Sequence, residues 1–154
     1  MEPRRFTTVV VTGARGRVFV PLGFDPDAVW GPKPVHHVHG TVNECGVRAA
    51  VEPVGDGFGI VLGPAWRRDG RVDAGDTVDV VLAPEGPQRD DLAPDLAAAL
   101  AASPGAGEFF DSLAQFYRRA YLRWIDATAR RPEVRAERIA EVVTLLAAGI
   151  KQRG

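Results

Sequence analysis

The sequence predicts an α+β protein, with an antiparallel β half followed by an all-helical half. Three observations carry this. Residues up to about 84 hold roughly six short β-rich stretches, separated by glycine-rich turns and without a long helical period. Residues from about 92 onward repeat their apolar positions at three- and four-residue steps. Between the halves, Pro84 to Asp91 (PEGPQRDD) is polar, is broken by two prolines, and reads as a linker.

The elements follow in order. Phe6 to Thr12 is β-rich, and Gly13 to Gly16 turns it into a strand over Arg17 to Leu22. Asp25 to Gly31 reads as one helical turn, with Asp25 capping, Pro26 at the first position and Gly31 closing. Pro32 and Pro34 impose an extended connection to a strand over Val35 to Val42. The turn at Asn43 to Gly46 leads to Val47 to Val51, and Gly55 to Gly57 leads to Phe58 to Leu62. Pro64 to Gly70 is expected as irregular chain or an edge. A turn at Asp73 to Asp76 feeds Thr77 to Ala83, where Val78, Val80 and Leu82 alternate with Thr77, Asp79 and Val81. These strands suit a small antiparallel barrel or sandwich.

Four helices are expected after the linker: Pro94 to Ala102, Gly107 to Ala114, and two long ones joined at Arg130-Arg131-Pro132. In the first long helix Tyr117, Tyr121, Trp124, Ile125 and Thr128 share a face. In the second Ile139, Val142, Val143 and Leu146 do the same. Helices of these lengths bury little alone, so Tyr121, Trp124 and Ile139 are expected to pack on the barrel or on a second subunit.

Composition bounds the partners. At 154 residues the chain fits one domain, or two small ones. Its net charge of −1 creates no global pull toward nucleic acid or an anionic membrane. Charge is uneven, however: Arg118, Arg119, Arg123, Arg130, Arg131, Arg135 and Arg138 face only Asp126, Glu133 and Glu137 in the same stretch. Cys45 is the single cysteine, so the chain has no internal disulfide. No signal peptide or membrane-length apolar run is visible, and a cytoplasmic location is expected.

The segment WIDATARRPEVRAERIAEVV resembles the carboxy-terminal module of the bacteriocin-protection, YdeI/OmpD-associated family. The matching residues are Trp124, Ile125, Ala129, Arg135, Arg138 and Ile139, with Tyr121 upstream. Arg130 and Val134 stand where that pattern has a lysine and a threonine. The β half is similar to the domain of unknown function 1905 (DUF1905), through Val38, Gly40, Thr41, Val42 and Asn43 and then Gly75 to Val78. The resemblance implies a β-barrel of double-split type over residues 4–84, with a helical module over 92–150 docked on it. It also implies a role in resistance to antimicrobial peptides, with no agreed enzymatic activity.

Several groups of residues bear on chemistry. On a strand, His37 and His39 share a face and His36 points the other way. Two imidazoles at i and i+2 can hold two metal positions, but a catalytic metal takes a third protein ligand, and none stands at a forced spacing. Histidines on the wet face of an exposed or edge strand are the preferred reading, and no metal is expected. Arg135 and Arg138 lie on one helical face near Tyr121 and Trp124, where they either bind an anionic or flat ligand or pair with Asp126, Glu133 or Glu137. No nucleophile elbow, phosphate-binding glycine loop or zinc-protease motif occurs, so no cofactor and no conventional catalysis are expected. The strands offer only scattered Arg4, Arg5, Arg15 and Arg17, which does not make a nucleic-acid surface.

The leading expectation is therefore a non-catalytic binding protein. A small molecule or peptide would sit at the seam of barrel and helices, lined by Trp66, Tyr121, Trp124, Arg135 and Arg138. One alternative is a metal-dependent enzyme using His37 and His39. The other is a structural protein whose barrel edges make a homo-oligomer, or a DNA-binding protein.

Overall fold

A computed structural model describes residues 3–154. These residues form an α+β fold, with two antiparallel sheets and six α-helices among them. It divides into a β unit of residues up to Pro32 together with His36–Pro84, and a helical unit of Lys33–Val35 with Glu85–Gly154.

In the β unit, β1 (Arg4–Val9) and β2 (Val11–Thr12) are one β-rich run broken at Val10. The Val10 N–H and carbonyl are taken by the Asp76 carbonyl and the Gly75 N–H, so the chain leaves one sheet and enters the other at this residue. β3 (Val18–Pro21) follows, then α1 (Pro26–Trp30), with the Asp25 carboxylate accepting the Asp27 N–H and Pro26 in the first turn. β4 (His37–Val42) and β5 (Cys45–Ala50) form a hairpin across Asn43 and Glu44, both at positive φ. Next come β6 (Glu52–Val54), β7 (Gly57–Val61), α2 (Pro64–Gly70) and β8 (Thr77–Pro84).

The sheet orders are β1-β8-β4-β5 and β2-β3-β7-β6. Among the described residues the ladders form two four-stranded sheets and do not close into the barrel that was expected. Val10 and Val51 turn the chain from one sheet to the other instead of continuing a ladder across the gap. The expected alternation in β8 is present: Val78, Val80 and Leu82 are buried, together with Val18, Val20, Val38, Val42, Ile60 and Leu62. Pro64–Gly70, expected as irregular or an edge, is helical. Pro64 opens the turn, Arg71 closes it in the left-handed conformation, and the Trp66 indole N–H donates to the Gly46 carbonyl at 2.8 Å.

The helical unit holds α3 (Pro94–Ala101), α4 (Pro104–Ser112), α5 (Gln115–Asp126) and α6 (Pro132–Ala147). It has a core of its own, in which Tyr121 and Ile139 find Leu96, Leu100, Phe110 and Leu146. From Glu85 on, the stretch expected as a linker belongs to this unit. Glu85 and Gln88 are buried, and the Glu85 carboxylate accepts the Gln115 N–H at the start of α5. No helix among the described residues is long and apolar enough to cross a membrane.

Candidate functional site

The seven arginines of residues 118–138 separate into two groups. Arg118 lies on the buried stripe of α5, three and seven residues before Tyr121 and Ile125. Its guanidinium donates to the Pro87 carbonyl at 2.9 Å and the Asp111 carbonyl at 2.8 Å, and it covers the Phe110 ring. Burial holds this guanidinium below its ordinary pKa. Arg135 donates to both Asp95 oxygens, at 2.6 and 3.0 Å, and to Asp126 at 3.0 Å. The Asp95 carboxyl is held below the usual carboxylate range by that guanidinium first, and by backbone N–H donation second. Arg138 donates to the Trp124 carbonyl at 2.6 Å and sits 4.6 Å from the Trp124 ring centroid.

The residues expected to line a ligand site are thus placed as follows. Trp124 and Arg138 are in contact, and a second guanidinium, from Arg153, lies 3.6 Å from the same ring centroid. Tyr121 is buried and its hydroxyl donates to the Ile150 carbonyl; burial raises its pKa. Arg135, on the same helix as Arg138, turns to the two carboxylates. Trp66 belongs to the β unit, on α2. His37 and His39 stand on β4 opposite Ala50 and Arg48. Among the described residues, no group of three or more His, Cys, Asp or Glu is arranged to hold a metal.

Sequence reasoning passed over two arrangements. His36 is buried, with Nε2 at 2.5 Å from Asp27 Oδ1, and its ring lies beside Trp30. The nine-residue separation of this pair across two prolines gives no periodic signal. The second arrangement is a pair of concavities in the β unit that share Val54, with volumes of about 380 and 440 Å³. Arg17, Phe19 and Val61 line the first, and Phe24, Asp25, Asp56 and Phe58 the second.

Glycine makes room for the Phe19 side chain that lines the first concavity. Phe19 alternates with the core residues Val18 and Val20 and so points to the other face of its sheet. A Cβ on Gly13 would stand 2.6 Å from the Phe19 ring, and one on Gly59 would stand 2.9 Å from it. The ring therefore sits where only the bare backbones of Gly13 and Gly59 leave it room. At the wall, Arg17 is held by both oxygens of Glu52 at 3.1 Å. In the second concavity Asp56 is exposed, while the Asp25 carboxylate is engaged in capping α1. The two hollows offer apolar contact, and the second adds negative charge.

Comparison with known families gives two matches. Residues 6–82 match the model for a domain of unknown function (DUF1905). Residues 91–149 match the model described as bacteriocin-protection, YdeI or OmpD-associated. A comparison with curated proteins yields no match.

Proposed function

The chain belongs to the DUF1905 family and carries a bacteriocin-protection, YdeI or OmpD-associated module after that domain, and from this we propose a non-catalytic binding protein of the bacteriocin-protection type, whose ligand is a peptide held on the β unit. The observation that carries the reading is the pair of concavities joined at Val54. Each falls in the size range of small-ligand sites, roughly 300–1,000 Å³. Two adjacent hollows divided by one valine suit a chain with two apolar side chains better than a single compact molecule. Phe19, Phe24 and Phe58 supply flat apolar surface, and Asp25 and Asp56 favour a basic side chain on the ligand. The ligand chemistry is then an amphipathic basic peptide.

Isothermal titration with a short peptide alternating lysine and leucine tests this. Saturable binding and a raised Tm are expected. Val54→Ser, at the wall common to both hollows, is expected to weaken binding roughly tenfold or more, as loss of a central apolar contact does. Unchanged affinity in that variant takes the ligand off this groove. No Tm shift with basic, acidic or neutral peptides, or with aromatic small molecules, removes the binding function.

A further inference from the structure

The arginines not consumed by the helical core define a second surface. Arg118, Arg135 and Arg138 each have two or more partners. Arg119, Arg123, Arg130 and Arg131 are exposed, and none finds a carboxylate among the described residues. The nearest acid along α5, Asp126, is already bound to Arg135. On an α-helix Phe116, Arg119 and Arg123 fall at i, i+3 and i+7, on the side opposite Arg118, Tyr121 and Ile125. Phe116 is 62% exposed, the most exposed large apolar side chain among the described residues. Its ring is held edge-on by Tyr117 at 5.2 Å, and Lys151 stands 4.9 Å from the Tyr117 centroid.

We propose that this stripe of α5 is a docking surface for an acidic, helical segment of a protein partner, with Phe116 as its apolar anchor and Arg119 and Arg123 as its carboxylate receptors. The inference goes beyond the groove reading and uses none of its residues. Two features decide for a protein over a polyphosphate chain. An exposed aromatic flanked by arginine is the composition that dominates protein–protein hot spots. The molecule as a whole is net negative, so it gives no extended field to follow a nucleic-acid backbone beyond these few arginines. The spacing sets the partner's register. Arg119 and Arg123 are separated by a rise of about 6 Å, the distance between residues four apart on any helix. An antiparallel helix carrying Glu-x-x-x-Glu, then an apolar residue one turn later, puts its carboxylates on the guanidiniums and its apolar side chain on Phe116. Each guanidinium can then bond a carboxylate in a bidentate manner.

Fluorescence anisotropy with a labelled helical peptide of pattern Glu-x-x-x-Glu-x-x-Leu tests the assignment on the full chain. Lysine-for-glutamate peptide and single-stranded oligothymidylate serve as comparisons. Saturable binding of the acidic peptide is expected, weakening as salt rises, while any binding of the lysine peptide is not weakened by the arginine variants below. Arg119→Glu with Arg123→Glu is expected to reduce affinity by roughly tenfold or more. Arg119→Gln with Arg123→Gln gives the same reading without reversed charge, should the first pair disturb folding. Phe116→Ser also weakens binding, whereas Val54→Ser leaves it at the wild-type value, so this surface and the groove are judged separately. No binding of the acidic peptide, or equal affinity in both arginine variants, overturns the proposal. Tighter binding of oligothymidylate than of the peptide overturns it too, in favour of a phosphate chain.

Discussion

What an arginine does in this chain depends on which oxygens reach it. Arg135 takes two carboxylates, Arg118 takes backbone carbonyls, and Arg138 takes one carbonyl and one indole face. The pair of Arg135 with Asp95 has a pH signature. The Asp95 carboxyl is lowered in the folded state, so its stabilisation is present above the ordinary value near 4 and is lost as pH falls through the lowered folded value. Asp95 is half exposed, so screening limits the pair to about 1 kcal/mol or less. Asp95→Asn is expected to cost that amount at pH 7. The cost should vanish toward pH 2, where the wild-type carboxyl is also protonated. Urea titrations at the two pH values check it, and a pH-independent difference would contradict the pairing. Part of this was legible: Asp126 lies within one helical joint of Arg135 and was among the expected partners. Asp95 was not, because it is 40 positions distant in sequence and only the packing of α3 against α6 brings it near. The burial of Arg118 was available in principle. It stands at i−3 and i−7 from Tyr121 and Ile125, but a charged residue is ordinarily assigned to the wet face.

At the scale of elements, capping and alternation were readable and short pieces were not. Asp25, Pro26 and Gly31 bound α1 as their chemistry dictates, and β8 alternates because one of its faces is buried. α2 has seven residues and β6 three, too few for a period to show, and both are held by contacts made elsewhere in the fold. The Trp66 indole reaching Gly46 is such a contact for α2. Two sheets in place of a closed barrel follow from Val10, whose backbone groups are satisfied by a turn. The sequence at Val10 differs in no way from its β-rich neighbours, so nothing marked the break. The pairing of β4 with β8 has a glycine at its centre. A Cβ on Gly40 would stand 1.8 Å from the Val81 carbonyl oxygen, and the backbone there has no side-chain freedom with which to yield. Gly40→Ala is expected to destabilise the protein by about 3 kcal/mol or more, as severe overpacking does. Thermal and urea unfolding measure it, and a loss below about 1 kcal/mol would show that the two strands separate more readily than their ladder implies.

At the scale of the whole molecule, the two apolar cores are distinct in membership, yet the division is not one cut in the chain. Lys33–Val35 belong with the helices although strands surround them in sequence. Lys33 donates to the Gln88 amide oxygen at 2.7 Å, and burial beside Arg118 lowers its pKa. Pro34 lines a hollow of about 320 Å³ with Phe109 and Leu146. A fragment comprising residues 85–154 therefore lacks part of its own unit. It is expected to melt below the helical signal of the intact chain, by about 4–8 °C for each kcal/mol lost in a domain of this size. Circular dichroism of fragment and chain compares them, and equal Tm values would make the tripeptide dispensable.

The loan of that tripeptide bears on how such proteins can be rearranged. The DUF1905 match covers residues 6–82 and so contains three positions that serve the module matched at 91–149. Recombination that exchanged one half for a homologue's would deliver a foreign tripeptide to the helices. Chimeras joined in the 84–91 stretch should then recover native cooperativity only when positions 33 to 35 travel with the helical half.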